Sequence, residues 1–175
     1  KTAGTVTVSN AVTISGTRSQ VTDALVTDSS KVTASTALVT ITDGSGDIDA
    51  TDLSAIGEKT SGQVTVSNAV NIQGTTAEVT EALVTDDSLV VATSATVEIS
   101  NASTVDELNA IAAKTDAVVT GSIAATSLAS LSGLTTAGTD VITITVNDAG
   151  GNVDATDLSA LGAKTAGTVT VSNAV

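Results

Sequence analysis

The chain has 175 residues, a formal net charge of −13, and no Phe, Tyr, Trp, Met, Pro, Cys or His. This composition excludes disulfides, histidine-based catalysis and aromatic stacking of sugars, and the six scattered Lys and Arg residues do not form the basic surface that nucleic acid requires. Hydrophobic residues nevertheless make up 41% of the chain, so we expect a core of Val, Ala, Leu and Ile rather than disorder.

The first twelve residues, KTAGTVTVSNAV (1–12), return unchanged as residues 164–175. An unbroken match at an offset of 163 residues predicts that residues 1–175 form a single segment, with one 163-residue period and a twelve-residue overlap with the next period. Repeated units that cannot close their own apolar faces stack on their neighbours. We therefore expect the function to lie in contacts between copies.

Short segments in which apolar and polar residues alternate recur along the whole chain. Such alternation is typical of half-buried strands. In chain order the clearest segments are VTVS (6–9), VTIS (12–15), VTIT (39–42), VTVS (64–67), VEIS (97–100) and ITIT (142–145).

A polar residue that can cap a helix follows these segments five times. The caps are Thr17, Asp49, Thr75, Thr104 and Asp154. Apolar residues four and seven positions after each cap place one apolar face on each predicted helix. Three caps are followed at the third position by Gln20, Glu78 or Glu107, which predicts capping boxes. A sixth helix, with a weaker signal, is expected near Ala124, with Leu128 and Leu131 on its apolar face.

Together these patterns predict about six similar units in one period. The predicted fold class is an α/β repeat solenoid, made of parallel β-solenoid rungs that each contain two short strands and a short helix. Parallel strands joined by helical crossovers wind to the right, so a right-handed coil is expected.

The segments VTITDGSGDIDATDLSAI (39–56) and ITVNDAGGNVDATDLSALGAKTAGTVTVS (144–172) carry a resemblance to known proteins. They resemble the Thr-, Val-, Ala- and Asp-rich tandem repeats of very long bacterial, cyanobacterial-type surface proteins. The resemblance implies an extracellular or cell-surface location and a structural role. We therefore predict a module of an extracellular filament, sheath or giant surface protein, built by end-to-end stacking of copies. Its partners would be axial neighbours of the same repeat, with lateral association between copies as a further option, and with no nucleic acid and no membrane insertion.

An alternative function is a calcium-stiffened adhesin or stalk. Oxygen-bearing side chains alternate through one glycine-containing loop, as in part of an EF-hand. These residues are Asp43, Ser45, Asp47, Asp49 and Asp52. The first position of such a loop would fall on Ile41, which cannot coordinate a metal. The competing interpretation is a turn that leads into a capped helix, and no cofactor other than calcium is expected.

Three Thr-x-Thr pairs suggest a third function, ice binding, although threonine is also the usual polar partner of valine in strands. The pairs are Thr5/Thr7, Thr40/Thr42 and Thr143/Thr145. The recurrent asparagines of the strand ends are interpreted as turn residues able to form a ladder. They are Asn10, Asn68, Asn101 and Asn173.

Catalysis would have to rest on paired carboxylates. The pairs Asp49/Asp52 and Asp154/Asp157 are the candidates. With no His to act as a general base and no aromatic side chain to bind a sugar, we predict that the protein is not an enzyme.

Overall fold

Short strands alternate with short helices in the computed structural model, which describes residues 3–85, 87–148 and 152–172. The strands are β1 (Val6–Thr7), β2 (Thr13–Gly16), β3 (Val32–Thr33), β4 (Leu38–Ile41), β5 (Asp47–Asp49), β6 (Val64–Val66), β7 (Asn71–Gly74), β8 (Val90–Val91), β9 (Thr96–Ser103), β10 (Val119–Ile123), β11 (Val141–Val146) and β12 (Val169–Val171). The helices are α1 (Arg18–Leu25), α2 (Ala50–Gly57), α3 (Thr76–Leu83), α4 (Val105–Ala112), α5 (Leu128–Leu131) and α6 (Ala155–Gly162), with a 3₁₀ helix at Asp28–Ser30.

The strands form three sheets in which every pair is parallel. One sheet holds β1 and β3. A second has the order β2-β4-β6-β8, and the third has the order β12-β11-β10-β9-β7-β5. Parallel neighbours need a connection that crosses over, and most of the connections here contain a helix.

The predicted fold class, a right-handed solenoid of rungs with two short strands and one helix each, is wrong. The structure is an α/β domain with three separate parallel sheets of two, four and six strands. The four-stranded sheet stops at β8, whereas the six-stranded sheet continues from β9 to β12. Alternation of apolar and polar residues identifies a strand but not its hydrogen-bonded partner. The prediction failed because it assumed that every unit pairs its strands in the same way.

The five predicted helix caps are confirmed as the residues that precede α1, α2, α3, α4 and α6. All three predicted capping boxes are present. In the box at α3, the Thr75 amide donates to Glu78 Oε2 at 2.7 Å, and the Glu78 amide donates to Thr75 Oγ1 at 3.3 Å. These bonds satisfy amides that an isolated helix leaves unpaired.

The sixth helix differs from its prediction. It begins after Ser127 rather than near Ala124, and it comprises only four residues. The Ser130 amide donates to Ser127 Oγ at 3.2 Å, so the serine hydroxyl determines where the helix begins.

The core consists of Val, Leu, Ile and Ala packed between the sheets and the helices. Residues on the predicted helix faces are buried, including Val21, Val79 and Leu108. Leu158 of α6, the equivalent of these residues, is only half-buried. No helix in the described ranges is long and apolar enough to cross a membrane.

Candidate functional site

Four of the five residues predicted to bind calcium make bonds with other parts of the protein. The Arg18 backbone amide donates to Asp43 Oδ2 at 2.5 Å, and Arg18 Nη1 contacts Asp52 Oδ2 at 2.7 Å. Asp47 and Asp49 lie on the exposed face of β5 and accept hydrogen bonds from the neighbouring strand β7. Ser45 is exposed in the loop before β5. Two of the predicted ligands thus contact Arg18, and two others contact β7.

Within residues 3–85, 87–148 and 152–172, no group of three or more His, Cys, Asp or Glu side chains is placed to hold a metal. Asp43 instead caps the helix that precedes it. Asp148 has the same role, since its Oδ2 accepts from the Leu128 amide at 2.9 Å, and Asn101 Oδ1 accepts from the Thr76 amide at 2.7 Å. Sequence reasoning missed this capping, although all three residues stand two positions after a buried strand residue. Residues 149–151 of the loop related to the predicted calcium loop lie outside the described ranges.

The Thr-x-Thr pairs do not form one continuous row of threonines across neighbouring strands of a sheet. In the four-stranded sheet Ser15, Thr40 and Thr65 lie in register, but the next position is Val91. Among the described asparagines, Asn68 donates to the Asp43 carbonyl at 2.8 Å rather than to another asparagine. Asn10 is exposed, and Asn173 lies outside the described residues.

Three of the four carboxylates considered for catalysis, those of Asp49, Asp52 and Asp154, take part in structural bonds. Asp49 Oδ1 accepts from Gln73 at 3.1 Å, and Asp154 Oδ1 accepts from the Thr156 amide at 2.7 Å. Hydrogen bonds from the backbone amides of Thr156 and Asp157 lower the pKa of Asp154. The pKa of Glu78 and that of Glu107 are lowered in the same way by the amides of their cap threonines. These shifts mark helix caps.

A groove of about 490 Å³ lies between α5 and α6. Its walls combine the leucines Leu128, Leu131 and Leu161 with the charged residues Asp148 and Lys164.

The strongest candidate site involves one sequence that occurs in three places. The segment VTVSN begins at Val6, at Val64 and at Val169. The middle copy forms β6, which pairs with β4 on one side and with β8 on the other. Val64 is fully buried there, whereas Val6 is 43% exposed and Val171 is 44% exposed. The two outer copies are edge strands.

The two outer copies use opposite edges. In β1 the amides of Val6 and Val8 donate to the carbonyls of Lys31 and Thr33, at 2.9 and 2.8 Å. In β12 the Thr168 carbonyl accepts from the Ile144 amide at 2.9 Å. The Ser172 amide likewise donates to the Val146 carbonyl at 3.0 Å. Successive residues of a strand direct their backbone groups to opposite sides. The edge that β1 uses is therefore the edge at which β12 has no neighbour among the described strands.

The helices beside these strands show the same contrast. Helix α2 (ATDLSAIG) and helix α6 (ATDLSALG) differ at a single position. A Cβ on Gly57 of α2 would stand 2.4 Å from the Ser88 carbonyl oxygen. A Cβ on Gly162 of α6 would meet no described residue within 4 Å beyond its own helix turn. Ala50 is buried and its equivalent Ala155 is exposed, so no part of the described chain covers α6 as α2 is covered.

Comparison with known proteins finds no matching family model, no matching curated protein and no matching solved structure.

Proposed function

We propose that this chain is a structural module of an extracellular filament, sheath or giant surface protein, in which copies of the module join end to end. One observation carries the proposal. The same sequence forms an edge strand at both ends of the structure, on opposite edges, while its internal relative is paired on both sides.

Open strand edges attract further strands because they present unpaired amides and carbonyls. In β12, Val169 is half-buried and Val171 is 44% exposed. Burying them stabilises a junction by roughly 25 cal/mol per Å² of apolar area. A copy of the same module would satisfy both requirements at β12, since its β3 pairs with a strand of this same sequence.

Composition supports the location and the role. The Thr-, Val-, Ala- and Asp-rich sequence resembles the repeats of long bacterial surface proteins, and the net charge of −13 disfavours lateral clumping of modules. The partners in this proposal are copies of the module, and the role is mechanical rather than catalytic.

The mechanical part is tested with chains that contain one, two and four consecutive periods. We expect electron microscopy and small-angle X-ray scattering to show stiff rods whose length increases linearly with the number of periods. Folded modules joined by flexible segments, without a fixed orientation between neighbours, would contradict the proposal. The location is tested by immunogold labelling of intact source cells, where label confined to the cell interior would contradict a surface role.

A further inference from the structure

We propose a specific junction between copies, an inference that rests on the proposed function. In this junction β12 and α6 of one copy dock on β3 and on the 3₁₀ helix of a second copy of this chain. The arrangement is the one that β6 and α2 already adopt inside the chain with β8 and the turn that contains Ser88.

The strand that would receive β12 is β3, and its internal equivalent is β8. The two strands begin with the same hydrogen bond and the same unusual φ. The Val64 amide of β6 donates to the Leu89 carbonyl at 3.0 Å, and the Val6 amide of β1 donates to the Lys31 carbonyl at 2.9 Å. Lys31 and Leu89 both have left-handed backbone conformations, with φ of 56° and 52°, which are uncommon for residues other than glycine. The Val169 amide of β12, the equivalent of Val6, is thus expected to donate to Lys31 of the second copy.

The other edge of β12 is already held as β6 is held. Ile144 donates to the Thr168 carbonyl at 2.9 Å, and Val39 donates to the Gln63 carbonyl at 2.9 Å. The registers also agree, since Val169 lies opposite Ile144 as Val64 lies opposite Val39. One strand of this sequence therefore accommodates both neighbours at once, and β12 needs no rearrangement to accept a second one.

The helices provide an independent observation. Gly57 is required because the backbone of Ser88 approaches it too closely for a Cβ. Ser88 precedes the left-handed Leu89, and Ser30 precedes the left-handed Lys31. The equivalent of this contact in the junction places Ser30 of the second copy against Gly162. The proposed second copy would thus explain a glycine whose Cβ position has no described residue within 4 Å beyond its own helix turn.

In a single molecule the strand that would receive β12 is already occupied, because β1 pairs with β3. A second molecule can dock only after the N-terminal copy of the segment has been displaced. We therefore expect the unmodified chain to remain monomeric. Proline at positions 6 and 8 removes both amides that bond to Lys31 and Thr33, so the double variant Val6→Pro/Val8→Pro opens the receiving strand.

The experiment measures association by sedimentation equilibrium in this opened full-length variant. We expect a concentration-dependent series of oligomers. Adding Gly162→Ala should weaken the association at least tenfold, since its Cβ would strike the backbone of the second copy. The matched control is Gly44→Ala, because Gly44 also has no described residue near its Cβ position and lies away from the junction. We expect that control to leave the dissociation constant unchanged.

Two results would overturn the junction. The first is an opened variant that stays monomeric at concentrations at which its circular dichroism shows a folded protein. The second is equal association of the Gly162→Ala and Gly44→Ala forms, which is also the outcome of non-specific aggregation. Rods of consecutive periods that are unaffected by Gly162→Ala would overturn this junction and leave the structural function intact. Association that Gly162→Ala abolishes, in a protein labelled only inside cells, would retain the junction and overturn the surface function.

Discussion

The middle and outer copies of the VTVSN segment have the same residues and very different surroundings. Val64 and Val66 are 0% and 5% exposed between two neighbouring strands, whereas Val6 and Val171 are both more than 40% exposed at the edges of their sheets. Since the local sequence is constant, the difference arises from the neighbours alone. The comparison shows that this segment has two pairing edges, of which each outer copy uses one.

The comparison between α2 and α6 extends this point from strands to helices. Their sequences differ only at Ile56 and Leu161, yet Leu53 is fully buried and Leu158 is half-buried. Within the described residues, the uncovered part of α6 and the unpaired edge of β12 correspond to the positions at which Ser88 and β8 contact α2 and β6. A single docked partner would cover both. The contacts of α2 and β6 therefore indicate which contacts α6 and β12 would make in the junction.

The largest difference between the two regions is expected from glycine-to-alanine substitutions. Gly57→Ala should lower the free energy of unfolding by about 1–3 kcal/mol, because its Cβ would overlap the Ser88 carbonyl. Gly162→Ala in the monomeric chain should raise it by up to about 1 kcal/mol, because alanine favours the helix. Urea unfolding measures both changes, and equal destabilisation by the two substitutions would contradict the comparison.

Truncation of a valine should have the next largest effect. Val64→Ala removes two buried methyl groups from the internal strand and should cost about 2 kcal/mol. Val171→Ala at the C-terminal edge should cost less than about 0.5 kcal/mol, since that side chain is already solvent-exposed. Chemical unfolding of the monomeric chain checks this pair, and a large loss at position 171 would show that β12 is buried in solution.

Helix caps should behave alike in both regions, because their bonds are local. Thr17→Ala and Thr75→Ala each remove a capping-box hydroxyl and should each cost about 1 kcal/mol. Serine at the same positions is the control and should restore most of the stability. A cap effect confined to α3 would mean that neighbouring helices, rather than the box, stabilise these ends.

Acid should weaken the caps that use carboxylates. The amides of Thr75 and Thr104 lower the pKa of Glu78 and of Glu107 from their ordinary value of 4.5. A lowered pKa in the folded state stabilises the protein above the unfolded pKa, and this contribution is lost as the pH falls through the folded value. Melting temperatures from about pH 6 to about pH 3 should fall less steeply in Glu78→Gln/Glu107→Gln.

Gln20 already completes the equivalent box of α1 without titrating, so glutamine is a suitable replacement. An unchanged slope of melting temperature against pH would show that these two carboxylates do not govern acid sensitivity.

Calcium is expected to have the smallest effect. The carboxylates of the predicted site already accept hydrogen bonds or form an ion pair. These are Asp43, Asp47, Asp49 and Asp52. We therefore expect the same melting temperature in millimolar calcium and in chelator. A clear increase with calcium, abolished by Asp47→Asn/Asp49→Asn, would instead support the calcium-stiffened stalk.

Features that depend on a few neighbouring residues were predictable from the sequence. The capping boxes at Thr17, Thr75 and Thr104 follow from residues three positions apart, and the structure confirms them. The start of α5 was misplaced because Leu128 and Leu131 fit a helix that begins at either of two positions. Only the Ser127 hydroxyl bond to the Ser130 amide distinguishes them.

Features that depend on distant partners were not predictable. The alternation in β9 resembles that in β6, yet β9 joins the six-stranded sheet and β6 the four-stranded one. The first amide of α1 donates to Asp43, which lies 25 positions along the chain. The sequence therefore offered a calcium loop or a turn that leads into α2, and gave no sign of a cap on α1. The close approach of Ser88 to Gly57 likewise has no local signature.

Disulfide trapping tests the junction most directly, since the chain contains no cysteine of its own. Thr7 lies opposite Thr33 in the β1–β3 pair, so Thr170 of one molecule should lie opposite Thr33 of the next, at a strand spacing of about 4.8 Å. We predict that opened molecules with Thr170→Cys and opened molecules with Thr33→Cys form a disulfide-linked pair rapidly. Thr168→Cys, two residues out of register, should react slowly with the same partner. Equal rates for positions 168 and 170, or no cross-link at all, would contradict the account.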